Sequence, residues 1–187
     1  MIFNSTSWGK SIFIISFSII IFCCSSFAKK KEPYLPEPSK RDTDTILGIQ
    51  IFLDESNFGP GKIDGQMGQF TRKAVAHYNF SKGISYDNYY EVIQGCKTNI
   101  TELFTTYTIE DKDFTYVGEV SLEPEEQSKI EYMYYRSILE FVAERFHSDE
   151  KFLIKINPEV KWDEVKIGTE IKVPNVIIKF EILEISS

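Results

Sequence analysis

Glycine is concentrated in one place in this chain. Four of its ten glycines, Gly59, Gly61, Gly65 and Gly68, fall in NFGPGKIDGQMGQFT, residues 57–71. Glycine takes φ > 0 without steric penalty, so the cluster commits the backbone to a tight path that other residues resist. The loop joins two segments of helical periodicity. In TILGIQIFLDESNF, apolar residues recur at Ile46, Ile49, Phe52 and Leu53, with Asp44 or Thr45 placed to cap the start. In TRKAVAHYNF, Thr71 to Phe80, Ala74, Val75 and Tyr78 share one side.

Three kinds of ligand loop use glycine this way, and none fits. A P-loop needs Gly, four residues, then Gly-Lys-Ser/Thr; here Ile63 follows Gly61-Lys62, and Ser56 stands at the first glycine position. A dinucleotide loop needs G-x-G-x-x-G after a strand. Here Gly59 and Gly61 are followed by Gly65, and the loop follows a helix. A calcium loop opening at Asp54 would put Phe58 at a ligand position and Gly65 where a bidentate Glu belongs. What fits is a folded turn. Asp64-Gly65 is a strong turn pair, Ile63 plugs inward, and Gln50 on the preceding helix supplies a donor and acceptor for the loop amides.

A third helix is expected over Ser85–Gln94, SYDNYYEVIQ, which makes residues 45–95 a small three-helix unit. Residues 105–180 read as a second unit. TTYTIEDKDFTYVG (105–118) is rich in Thr, Tyr and Phe and predicts a strand. Residues 121–147 predict helix, with Ser121 as cap, Pro124 near the start, and a change of phase at Tyr135 that divides it in two. Asp149-Glu150 opens a further helix that stops at Pro158. Lys166-Ile167-Gly168 is a turn, and TEIKVPNVIIKFEILEI (169–185) alternates as a strand does. The expected class is α+β: a three-helix bundle, then β-α-α-β with an enlarged first connection.

The first 28 residues hold one charge, Lys10, followed by the apolar run SIFIISFSIIIFCC and then Ser26-Phe27-Ala28. This order predicts a secretory signal over 1–28, cleaved after Ala28, and an exported, periplasmic or extracellular protein that meets the membrane only through that segment. An uncleaved anchor and a lipoprotein signal with Cys24 acylated are the alternatives. Residues 29–44, KKKEPYLPEPSKRDTD, read as a flexible Pro-rich linker. Beyond residue 28 there are 20 basic and 28 acidic residues, a net charge of −8. That balance argues against nucleic acid as a partner and predicts a weak salt dependence for binding to an anionic polymer.

Chemistry-bearing residues are sparse. Beyond the signal, Cys96 is the one cysteine, and the histidines are His77 and His147. They make no metal signature, and no cofactor or catalytic set is expected. Glu125-Glu126, Glu140 and Glu144 read as solvated helix faces. Tyr89, Tyr90, Tyr132, Tyr134 and Tyr135 offer rings to stack on sugars, or to fill a core.

Taken together, Ile49-Gln50, Leu53, Gly61, Asp64-Gly65, Gly68, Thr71, Ala74-Val75 and Tyr78 resemble the three-helix type of peptidoglycan-binding domain, over about 35 residues. The resemblance implies a peptidoglycan glycan strand or stem peptide as ligand. Gln50, Ile51, Asp64, Phe70 and Tyr78 are the expected contact residues, and the four loop glycines are structural. Further on, Tyr107-Thr108-Ile109, Phe141-Val142-Ala143, Phe146, Phe152-Leu153, Ile156-Asn157-Pro158, Ile167-Gly168, Ile171 and Val173-Pro174 resemble a LysM module. That family's Gly-Asp-Thr-Leu segment is absent here, and residues 110–136 stand in its place. The pair of units is similar to the N-terminal half of bacterial L,D-transpeptidases, but the Ser/Thr-His-Gly-Cys motif of their catalytic half does not occur. The expectation is a non-catalytic wall-binding protein, with 45–95 retaining part of the binding alone. A truncated or split L,D-transpeptidase and a periplasmic protein–protein adaptor are the alternatives.

Overall fold

Eight consecutive residues of the first helix, Ile46 to Leu53, are buried. A helix on a protein surface buries a stripe; one buried all round has packed elements on both sides. The computed structural model describes residues 33–119 and 134–176, and these belong to one compact unit. Residues 1–28, where a signal segment is expected, with Cys24, the residues Ser121, Pro124 and Tyr132, and the part of the expected closing strand after residue 176 lie outside the described residues.

Helix α1 spans Thr43–Glu55, α2 Gln69–Ser81 and α3 Tyr90–Asn99. On one side of α1, Ile46, Ile49, Phe52 and Leu53 pack with Ala74, Val75 and Tyr78 of α2 and Val92 of α3. Strand β1, Phe104–Thr108, follows, then a 3-10 turn, Asp111–Tyr116. Helices α4, Ile138–Arg145, and α5, Glu150–Ile156, lead to β2, Glu170–Pro174, which pairs antiparallel with β1 in the register Tyr107 to Ile171. The class is therefore mixed α+β. Among the described residues no helix is long and apolar enough to cross a membrane.

The other side of α1 belongs to a second core. Leu47, Ile51 and the loop residue Ile63 pack with Ile138, Phe141, Val142, Phe146, Leu153 and Ile171. The backbone joins there as well. Ile63 N–H donates to the His147 carbonyl at 2.8 Å, and Ser148 Oγ donates to the Ile63 carbonyl at 2.8 Å. Leu47, Ile51 and Ile63 each have no exposed surface, so burying them contributes about 1.5–3 kcal/mol apiece.

Several expectations shift. Helix α1 starts at Thr43, with Asp42 as the cap residue and no side-chain cap bond. Helix α3 begins five residues later than Ser85, because Asn88 Oδ1 accepts the Tyr90 amide at 3.0 Å and holds the preceding residues in turns. The first strand ends at Thr108: buried Asp113 accepts from the Glu110 amide at 2.8 Å and from Tyr107 Oη at 2.7 Å, curling the chain into the 3-10 turn. Helix α4 begins after Ser137, whose Oγ accepts the Glu140 amide, so residues 134–137 are not helical. Within the expected flexible linker 29–44, residues 33–37 are pinned. Asn88 donates to the Pro33 carbonyl, the Leu35 amide donates to Asn88, and Arg72 donates both Nε and Nη2 to Glu37 at 2.7 Å.

Candidate functional site

Gln50 is the centre of the glycine loop. Its carboxamide is 1% exposed, and every polar atom is used. Oε1 accepts the amides of Asp64 (3.1 Å) and Gly65 (2.8 Å). The two hydrogens of Nε2 are shared among the carbonyls of Lys62 and Gln66, Asp64 Oδ1 and Thr71 Oγ1, all within 3.0–3.3 Å. Thr71 Oγ donates in turn to the Pro60 carbonyl, and Asp64 Oδ1 accepts the Gln66 amide at 2.8 Å. One side chain thus satisfies a loop whose backbone would otherwise bury unpaired groups, each costing about 1–3 kcal/mol.

The glycines divide by role. Gly59, Gly61 and Gly65 have φ of 53°, 83° and 70°, where a side chain is strained. At Gly65 a Cβ would also stand 2.6 Å from Thr43 Cγ2. Gly68 has φ −86° and no such need; it is the N-cap residue of α2.

Above this loop lies an open cleft of ≈ 420 Å³. Its floor is Gln50 and Thr71, its rim Pro60, Gly61, Lys62, Asp64, Gln66 and Gly68, and Phe70 forms one wall. Phe70 is 67% exposed, and Lys73 Nζ stands 5.9 Å from its ring centre. Exposed phenylalanine beside ordered loop backbone is the arrangement that can stack an apolar ligand face while neighbouring carbonyls and amides set its orientation.

Of the expected contact residues, the structure brings Gln50, Asp64 and Phe70 to this cleft. Gln50 is fully used inside the protein and so shapes the site rather than grips a ligand. Ile51 faces the second core and Tyr78 is buried, its ring edge-on to Phe52 and Phe58 at 5.4 Å from each. Neither lines the cleft. Pro60, Lys62 and Gln66 carry no signal in the spacing, although all lie in the same glycine run; Thr71, which also lines the cleft, belongs to the spacing pattern itself.

The remaining candidates are placed elsewhere. Cys96 is half-buried against Gly48, and burial pushes its thiol up, which lowers its thiolate content and its reactivity. His77 is exposed on α2, while His147 Nδ1 lies 2.9 Å from Asp54 Oδ2, a contact between the turn after α4 and the end of α1. Tyr89 is buried with its hydroxyl 3.3 Å from Glu37, and burial pushes that hydroxyl up. Tyr135 packs on Phe141, and Tyr134 is exposed. Among the described residues no group of three or more His, Cys, Asp or Glu side chains could hold a metal. No protein-family model and no curated protein matches the chain.

Proposed function

We propose that the protein is an exported, non-catalytic peptidoglycan-binding protein. In this reading α1–α3 serve as a three-helix peptidoglycan-binding-like module, and β1-α4-α5-β2 as a divergent LysM-like module. The observation that carries it is the cleft over the Gln50-held loop with Phe70 standing open beside it. A large apolar ring left in water next to a rigid polar rim is accounted for by a ligand with both an apolar face and hydrogen-bonding groups, as sugar rings and short peptides have. The resemblance over residues 49–78 names peptidoglycan as that ligand. Among the described residues Asp64 is the one carboxylate lining the cleft, whereas hydrolysis of a glycosidic bond uses a pair at set separation. A protein-adaptor role is the second reading, favoured by Phe80 and Tyr86, which are 82% and 74% exposed away from the cleft.

Co-sedimentation of the purified protein with peptidoglycan sacculi, followed by muropeptide analysis of the pellet, tests the proposal. The expected result is pelleting with an unaltered muropeptide pattern, the same for wild type and Cys96→Ser. Protein left in the supernatant would turn the reading toward the adaptor. New cross-links or released fragments that vanish in Cys96→Ser would turn it toward an enzyme.

A further inference from the structure

A second hollow, ≈ 340 Å³, lies on the other side of the loop rim and shares Asp64 and Gln66 with the cleft. Three lysines stand around it: Lys40, just before α1, and Lys151 and Lys155 on α5. Chain segments remote in sequence therefore bring like charge to one place. Lys151 and Lys155 are one helical turn apart, a spacing at which like charges repel. Among the described residues, none of the three forms a salt bridge within 4 Å, Lys40 having only a longer-range attraction to Glu37.

The two carboxylates in the wall are already engaged. Asp149 Oδ1 accepts the Lys151 and Phe152 amides that open α5, and its Oδ2 faces Lys62 Nζ at 3.4 Å. Asp64 Oδ1 accepts from Gln50 and Gln66. The lining sets three ammonium groups against these two carboxylates, one positive charge in excess, and the ammonium groups are the ones with donors to spare. A lysine ammonium is a mobile point charge with three donors, suited to carboxylate or phosphate oxygens that arrive without a fixed bidentate geometry. The chain's overall negative charge does not cancel this. At 0.1 M salt, charges further off than about 10 Å are largely screened, while the three lysines act at contact range.

We propose that this hollow is an anion subsite continuous with the cleft, taking a carboxylate or phosphate of the ligand whose uncharged part lies against Phe70. It rests on the cleft being the ligand site. The two claims separate experimentally. In one arm, inorganic phosphate is titrated into the protein while the amide resonances of Gly65, Gln66 and Lys151 are followed, for wild type and for Lys151→Gln/Lys155→Gln. In the other arm, both proteins are titrated with soluble muropeptides whose peptide carboxylates are free or amidated.

The expected result is about tenfold tighter binding of the free-carboxylate form by the wild type, the size of one charge-assisted contact, collapsing toward equality in the double variant. Discrimination without a phosphate response identifies the anion as carboxylate. Saturable phosphate shifts, lost in the variant, without muropeptide binding uphold the anion site and remove the wall reading. Equal binding of both muropeptide forms by both proteins overturns the subsite and leaves the cleft. Silence in both arms overturns both.

Discussion

Helix α1 faces two cores that are built on different rules. Toward α2 and α3 it is a close helix contact that depends on the absence of side chains. A Cβ on Gly95 of α3 would stand 2.4 Å from the Phe52 ring, and one on Gly48 would stand 2.6 Å from Cys96 Sγ. Toward the β-containing part, Leu47 and Ile51 meet a core filled by Phe141, Phe146, Phe152 and branched aliphatics. The first core has no space to give and the second has large groups to lose. Close-packed interiors punish both changes, but through opposite substitutions. Because one helix belongs to both, the two halves stand or fall together.

The largest effect follows from that sharing. A fragment of residues 33–100 leaves Leu47, Ile51 and Ile63 facing water, which removes several kcal/mol at about 1.5–3 each. No cooperative melt by circular dichroism is the expected outcome. A sharp melt of the fragment would show two separable cores instead. Next in size, Ile51→Ala in the full chain costs about 2–5 kcal/mol and still gives one transition. Gly95→Ala costs less, about 1–3 kcal/mol from crowding Phe52, partly offset by the better helix propensity of alanine. Denaturant titration of both variants with two probes, one in each half, checks the coupling; probes that separate would break it.

The smallest effect is electrostatic. Glu37 in the helical half and Glu140 in the other are each held below the ordinary carboxylate value, first by a hydrogen bond from an arginine, Arg72 and Arg136 respectively. A carboxylate depressed in the folded state stabilises above its unfolded pKa and loses that contribution as the pH falls through its folded pKa. Both pairs are open to solvent, so each contributes below about 1 kcal/mol. Glu37→Gln is expected to reduce the loss of melting temperature between neutral pH and about pH 3 by a degree or two, with Glu140→Gln doing the same. An unchanged acid-side slope would remove the Glu37–Arg72 pair from the account of how residues 33–37 are held.

What the sequence shows clearly is what local spacing decides. The glycine run, Asp64-Gly65 and Gln50 one helix earlier announce a loop held from within, and the backbone angles and Gln50 bonds have that form. The mixed α+β class is legible because the alternation toward Ile171 and Val173 and the helix opening at Asp149-Glu150 are local signals, whereas the cap at Ser137 carries no mark in the spacing. What is not legible is set by distant partners. Leu47 and Ile51 fall outside the Ile46-Ile49-Phe52-Leu53 stripe, and only a second core explains them. Tyr78 fits a contact pattern but is claimed by Phe52 and Phe58. Residues 33–37 look like linker until Arg72 and Asn88 reach them, and Lys40 joins Lys151 and Lys155 only after folding.

The central claim is that the ligand lies against Phe70, and a second exposed phenylalanine on the same helix supplies the control. Phe70 lines the cleft, while Phe80 is even more exposed and lines nothing beside the loop. Neither ring is part of a core, so Phe70→Ala and Phe80→Ala are both expected to leave the melting temperature within a few degrees of wild type. Sacculus co-sedimentation of the two variants beside wild type measures the difference. The account predicts that Phe70→Ala weakens pelleting by about fivefold or more, the loss of one stacked ring, while Phe80→Ala pellets as wild type does. Equal binding by all three proteins, or a loss confined to Phe80→Ala, would contradict it.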